Sequence, residues 1–308
     1  MATPKKTKAT AKKKTTPKVV AKKKAPAKPA KVAKPFIKWA GGKASLVPTL
    51  KGILPKKIET YFEPFLGGGA LFFALAADGR YQRAVLNDFN VELMDAYKAI
   101  RDFAPAIIRE LVLLKEAYTA DPKEVYLRER AKDPAALSPL ERAVRFLFLN
   151  RTGFNGLYRV NKAGGFNVPF GQYVNPRIVD SANLKACAEV LDRFVVLKND
   201  DFAACVRNAK PGDAVYFDPP YVPVSPTANF TAYTASGFNL AEQRRLADVF
   251  RQLADAGVAV VASNSDTEIV RELYAGFEMH EVQARRSVNR DGKKRGPVGE
   301  LIIVGRGV

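Results

Sequence analysis

The sequence predicts an α/β protein with a largely parallel sheet, a mainly helical module inserted into it, and a lysine-rich arm in front. Three observations support this. Short apolar runs, Thr60–Phe65, Ala84–Leu86, Ala214–Phe217 and Val258–Ala262, end in acid- or glycine-rich turns and are separated by helical patterns, the alternation expected of βαβ units. Between about Met94 and Val179 that alternation gives way to helical patterns and then to a loop region rich in Gly, Asn and aromatics. Residues 1–34 carry 13 lysines and no acid. The expected units are therefore an arm at 1–34, an α/β domain at 35–94 and 180–308, and an inserted module at 95–179.

With 308 residues, 47% of them hydrophobic, the chain can bury a sizeable core. No run approaches the roughly 18 apolar residues that span a bilayer, and no apolar stretch resembling a secretory signal opens the chain, so a protein of the cell interior is expected. Two cysteines, Cys187 and Cys205, are too few and too isolated for a disulfide framework or a four-ligand zinc site and read as buried thiols. The single histidine, His280, argues against a His-based metal site or a Ser/His triad; no metal is expected, and chemistry must come from carboxylates, amides, aromatics and a bound cofactor. The formal charge of +19 is concentrated in the arm, leaving about +6 for the other 274 residues. An arm of Lys, Ala, Pro and Thr cannot build a core and is expected to be disordered. It would suit phosphate contacts, or serve as a solvated tail or address.

Local signals set the element ends. Ser138-Pro139-Leu140-Glu141 opens a helix with a cap and a first-turn proline. Asn239 with Glu242 opens another in a capping-box pattern, closed by Gly257 before the next strand. Asp291-Gly292 before Leu301–Val304 suggests an antiparallel hairpin at a sheet edge. The segment Val222–Phe238, including Asn229-Phe-Thr-Ala-Tyr233, is long and irregular, as a lid or an ordered surface loop would be.

Three motifs carry chemistry. The first, Tyr61-Phe-Glu-Pro-Phe-Leu-Gly-Gly-Gly-Ala-Leu71, is a strand, a triple-glycine turn and a helix start, where backbone can approach a ligand closely. A dinucleotide turn would want glycine where Phe72 stands. Asp88, 19 residues after Gly69, could accept both hydroxyls of a ribose; a structural turn and a helix cap would look the same. The second is Asp218-Pro219-Pro220-Tyr221 after Ala214–Phe217. Consecutive prolines end the strand and fix its backbone, so the Asp218 carboxylate and the Pro219 carbonyl could hold the two hydrogens of a planar amine such as adenine N6, freeing its delocalised lone pair for attack. Tyr221 would stack on the base. A rigid strand-end turn would look alike. The third runs from Asn150 to Tyr173 and interleaves Arg, Lys and Asn with aromatics on a glycine-rich frame, suited to base edges and gaps in a base stack, or to a plain polar hairpin.

Together with Pro35-Phe-Ile-Lys-Trp-Ala-Gly-Gly-Lys43, these motifs stand in the order seen in Dam-type DNA adenine methyltransferases, the D12 class of N6-adenine-specific enzymes, which the chain resembles from Pro35 to about Val304. The resemblance implies a Rossmann-like S-adenosylmethionine-dependent methyltransferase sheet with an inserted target-recognition domain, and methylation of N6 of a flipped adenine in GATC, in double-stranded DNA. By the same likeness, Asp218, Pro219 and Tyr221 would be catalytic, and Trp39, Lys43, Glu63, Gly67, Gly69, Asp88 and Asp218 would hold S-adenosylmethionine. Arg159 would contact the guanine beyond the target adenine and Lys38 the first guanine. Leu157, Pro169 and Tyr173 would contact other bases, and Phe154 with Asn155 would fill the place of the extruded adenine. Residue 154 is Phe where some relatives have Tyr, which keeps stacking and drops a hydroxyl. A monomer at the nucleoid is expected. Two other readings use the same residues: a methyltransferase of RNA or another planar amine, and an inactive DNA-binding protein.

Overall fold

A computed structural model describes residues 1, 32–161, 164–192, 194–223, 238–285 and 297–305. The chain runs α1 (Val47–Ile53), β1 (Ile58–Glu63), α2 (Ala70–Ala77), β2 (Tyr81–Asn87), α3 (Val91–Ala120), α4 (Pro122–Ala131), α5 (Pro139–Thr152), α6 (Ser181–Leu191), β3 (Val195–Lys198), α7 (Phe202–Val206), β4 (Ala214–Phe217), α8 (Leu240–Asp255), β5 (Ala259–Ser265), α9 (Glu268–Leu273), β6 (Glu278–Arg285) and β7 (Pro297–Val304). Among the described residues the strands form one sheet in the order β3-β2-β1-β4-β5-β7-β6. The first five are parallel and β7 and β6 are antiparallel, so the expected α/β class is what the structure shows.

Both faces of the sheet are covered, which is why its inner strands read as continuous apolar runs. Alternation along each strand divides them. Tyr61, Leu86, Tyr216, Val261 and Ile302 face the core shared with α2–α6. Phe62, Val215, Phe217, Val260 and Ile303 face the core shared with α7–α9.

Most expected ends are where the caps put them. Ser138 and Glu141 form a complete capping box with Pro139 in the first turn. Asn239 caps α8 through Ala241 and Glu242, although the Glu242 carboxylate turns to Arg245 at 3.1 Å, and Gly257 closes the helix at φ +80°. The edge hairpin is β6 with β7; its turn, with Asp291-Gly292, lies outside the described residues. So do residues 2–31 of the arm, residues 224–237 of the irregular segment, and Lys162 and Ala163 in the loop region. β1 ends at Glu63 rather than Phe65, because Pro64 cannot donate to the ladder. β3, four residues long with Val196 exposed, has no alternating pattern to announce it. The helix α3 crosses residue 94, where the inserted module is expected to begin, and kinks at Phe103 (φ −133°) just before Pro105, whose missing N–H and bulky ring break the ladder. Cys187 and Cys205 are buried free thiols. Among the described residues no helix is long and apolar enough to cross a membrane.

Replacing Ser138 with Ala should lower the unfolding free energy by about 1 kcal/mol at unchanged slope in a urea titration. An unmoved midpoint would show that the capping box contributes nothing.

Candidate active site

In an open parallel sheet the strand order reverses at one point, and loops leaving the carboxyl ends of the two strands there diverge to leave a crevice. Here that point lies between β1 and β4, which pair in parallel with Tyr61 beside Ala214 and Phe62 beside Val215. The glycine turn follows β1 and Asp218-Pro-Pro-Tyr follows β4, so the two sequence motifs meet in one crevice.

The turn is shaped by conformation and by close contact. Gly67 and Gly69 have φ of +48° and +66°, the left-handed region that glycine enters freely. A Cβ on Gly67 would stand 2.8 Å from Trp39 Cδ1, and one on Gly69 2.9 Å from the Tyr97 hydroxyl. Trp39 thus lies against the turn, and its ring stacks on Tyr158 with centroids 5.8 Å apart and 28° between planes. Phe72, where a dinucleotide turn would carry glycine, is buried against Phe73 and Tyr81.

Asp88 reaches the same turn. Its Oδ2 accepts the Gly67 N–H at 2.9 Å and its Oδ1 the Asn90 N–H at 2.9 Å. Burial pushes its carboxyl above the ordinary range, against the pull of those two donors. Each oxygen keeps a lone pair for another donor, and neighbouring Phe89 is 82% exposed.

The Lys43 ammonium stands 3.0 Å from Asp218 Oδ1 and 4.5 Å from the Tyr221 ring centroid, and it donates to the Gly41 carbonyl at 2.7 Å. Oδ1 takes no hydrogen bond of normal geometry from the described residues, so this ion contact is its main electrostatic partner. Burial lifts the Asp218 carboxyl to about 6, with Lys43 pulling the other way. Tyr221 donates to Glu300 Oε2 at 3.3 Å. Glu63 forms the floor. It is 3% exposed, accepts the Tyr61 hydroxyl at 2.8 Å, and is pushed to about 8 by burial, with the charges of Asp218 and Asp88 adding to the rise.

A second surface adjoins this crevice through Lys38, the neighbour of Trp39. The Lys38 ammonium lies 4.9 Å from the Tyr173 ring centroid, and the Tyr173 hydroxyl accepts the Asn155 N–H at 3.0 Å. Phe154 is half exposed, and its N–H bonds the carbonyl of the exposed Pro169 at 2.9 Å. Leu157 follows the Phe154–Gly156 turn. Lys38, Phe154, Asn155, Pro169 and Tyr173 are thus linked by contacts, whereas Arg159 sits further along the hairpin, held by the Asn167 side chain at 2.7 Å and carbonyl at 3.0 Å.

Several positioning groups carry no motif of their own. Asn150 accepts the Lys38 N–H at 2.8 Å and donates to the carbonyls of Lys38 (2.7 Å) and Gly156 (2.9 Å). Asn87 joins three loops, donating to the Pro64 and Asp200 carbonyls, each at 3.0 Å, and accepting the Asp200 N–H at 2.7 Å. Tyr97 donates to the Gly67 carbonyl at 3.1 Å. A polar residue beside each motif, such as Asn87 before Asp88, is the one available signal.

Glu63 holds its proton more tightly in the folded chain than in the unfolded chain, where a glutamate titrates near 4.5. Between about 4.5 and about 8 the unfolded state therefore binds fewer protons, and stability falls as pH rises. Asp218 acts with the same sign between 3.8 and about 6. Glu63→Gln should flatten the decline between pH 6 and 8 in urea unfolding followed across that range; an unchanged slope would place the buried proton elsewhere.

Residues 39–288 match the family of D12 class N6 adenine-specific DNA methyltransferases. The chain is 42% identical over 279 residues to the type II methyltransferase M1.LlaDCHI of Lactococcus lactis subsp. cremoris, covering 89% of this chain and 96% of the relative. It is 38% identical to the type II methyltransferase M.MjaIII of Methanocaldococcus jannaschii, covering 88% and 98%. It is also 38% identical to the DNA adenine methylase of Escherichia coli K12, covering 87% and 94%. A match across most of the chain, joined to a crevice that gathers the glycine turn, Asp88 and Asp218, makes the chain a member of the D12 class of N6 adenine-specific DNA methyltransferases.

Proposed function

We propose that this enzyme transfers a methyl group from S-adenosylmethionine to N6 of an adenine turned out of duplex DNA, within GATC. The observation that carries the reading is the meeting of Asp218 with Lys43 beside the glycine turn against which Trp39 lies. The crevice suits an adenosine-containing donor: the glycines let Trp39 lie against the turn, Asp88 has lone pairs for ribose hydroxyls, and exposed Phe89 can cover a purine ring. When bound, the donor supplies a sulfonium methyl, and its positive charge suits a site holding the Asp218 carboxylate, with Glu63, at about 8, a neutral acid beneath it.

Adenine N6 lends its lone pair to the ring and is a poor nucleophile. The Asp218 carboxylate and the Pro219 carbonyl, accepting its two hydrogens, draw the nitrogen towards tetrahedral geometry and hold it in line with the methyl. After transfer the nitrogen carries one proton too many, and a carboxylate titrating at about 6 can take it at neutral pH. Lys43 cannot keep its whole hold on Asp218 while the amine is bound there; a carboxylate on the donor offers the ammonium another partner. The target base must leave the stack to reach this depth.

Target choice falls to the module at 95–179 and its hairpin, with Lys38 and Arg159 reading guanines, Leu157, Pro169 and Tyr173 touching other bases, and Phe154 with Asn155 filling the gap. The exposed positions of Lys38, Phe154, Asn155, Arg159 and Pro169 support this assignment. The lysine-rich arm adds salt-dependent phosphate contacts. A monomer bound along the nucleoid fits this reading.

Methyl transfer from tritiated S-adenosylmethionine should label GATC duplexes far above duplexes lacking the site and above single-stranded RNA; equal labelling of RNA would move the reading to another nucleic acid. Asp218→Ala should abolish transfer while duplex binding persists, and near-normal turnover would defeat the mechanism. Arg159→Ala should reduce discrimination at one guanine by about 1–3 kcal/mol, read from kcat/KM on single-base variants of the site. A uniform loss across all sequences would make Arg159 a phosphate contact instead.

A further inference from the structure

The segment from Asp218 to Val222 has an unusual backbone. Pro219 and Pro220 have no N–H, so neither can be tied down as a donor, yet the Pro219 carbonyl must point at the target amine. The peptide that carries it therefore needs anchors further along.

Three buried polar side chains provide them. Gln243 on α8 and Asn264 and Ser265 at the end of β5 are 0%, 1% and 3% exposed. Gln243 Nε2 donates to the Pro220 carbonyl at 2.7 Å. Asn264 Oδ1 accepts the Val222 N–H at 3.2 Å, and Ser265 Oγ donates to the Val222 carbonyl at 2.6 Å. Asn264 Nδ2 donates to Gln243 Oε1 at 3.0 Å and joins the parts. Their surroundings are apolar: Val222, Leu246, Phe250 and Ala262 belong to the same core. Burying an amide there is costly unless it is bonded, and hydrophobic residues of similar size could fill the space. Three of the bonds from this trio end on the backbone of residues 220–222, immediately after the two groups assigned to the amine.

We infer that Gln243, Asn264 and Ser265 are positioning residues for methyl transfer: they lock the backbone after the double proline and so aim the Pro219 carbonyl and the Asp218 carboxylate at the adenine amine. The inference rests on the reading of Asp218 and Pro219 given above. Gln243 holds the 220–221 peptide through the Pro220 carbonyl; without it Pro220 can shift and carry the adjoining Pro219 carbonyl out of line, without touching the residues assigned to donor or DNA.

The test uses the full chain, a GATC duplex and labelled S-adenosylmethionine in single-turnover reactions with enzyme in excess. Gln243→Glu keeps the shape and the acceptor for Asn264 but removes the donor to Pro220; Gln243→Met removes both. Each should slow the transfer step roughly 10- to 100-fold, with dissociation constants for donor and duplex changed by no more than about threefold. Leu246→Ala, a cavity on the same helix outside the trio, supplies the structural control: it should lower the melting temperature but leave the single-turnover rate near that of the unaltered chain. Should Gln243→Met fail to fold, Gln243→Glu and Ser265→Ala carry the same comparison. Wild-type transfer rates in the Gln243 and Ser265 variants, or losses that only track melting temperature as in Leu246→Ala, would overturn the inference. An active Asp218→Ala in the same assay would instead remove the underlying reading, and the inference with it.

Discussion

The parallel pairing of β1 with β4 is the constraint on which the site depends. Because Tyr61 lies beside Ala214 and Phe62 beside Val215, the chain leaving Glu63 and the chain leaving Phe217 emerge side by side at the carboxyl edge of the sheet. One must turn at once through glycines and the other is stiffened by prolines, so neither closes the crevice between them. Carboxyl groups collect there: Glu63 at the end of β1, Asp88 against the turn, and Asp218 just past β4. Burial raises all three above their ordinary titration range, and Lys43 offsets part of the effect at Asp218. The largest cause of each rise is burial, so Glu63, at about 8, keeps its proton at neutral pH while Asp218, at about 6, gives its proton up.

The hairpin and the crevice share parts rather than sitting in separate bodies. Trp39 touches the glycine turn on one side and stacks on Tyr158 on the other. Its neighbour Lys38 and the hairpin residue Gly156 are both held by the Asn150 amide. Helices α3–α5 pack into the same core as one face of the sheet. A shift of the hairpin would therefore be felt at Trp39 and the glycine turn.

The motif residues were legible because each needs a backbone property visible in its letters: glycines where φ is positive, a double proline where a strand must stop, acids at strand ends. The capping residues of α5 and α8 were legible for the same local reason. What could not be read were features set by tertiary contact. β3 is too short to show a period, and the kink in α3 at Phe103 is a geometric response to Pro105. Gln243 and Asn264 look like surface residues of a helix and a strand end, and their burial follows from the backbone of 220–222 seeking partners. The Trp39–Tyr158 stack joins residues over a hundred positions apart, and no spacing rule connects them.

Everything proposed for the chemistry turns on an everted adenine held in this crevice by its amine. The most direct measurement is a crystal structure of the full chain with S-adenosylhomocysteine and a GATC duplex. The adenine should lie outside the stack, with N6 within about 3 Å of both the Asp218 carboxylate and the Pro219 carbonyl, and the sulfur facing it beside Gly67. An adenine still paired in the duplex, or an amine bonded to other groups with Asp218 turned away, would contradict that placement.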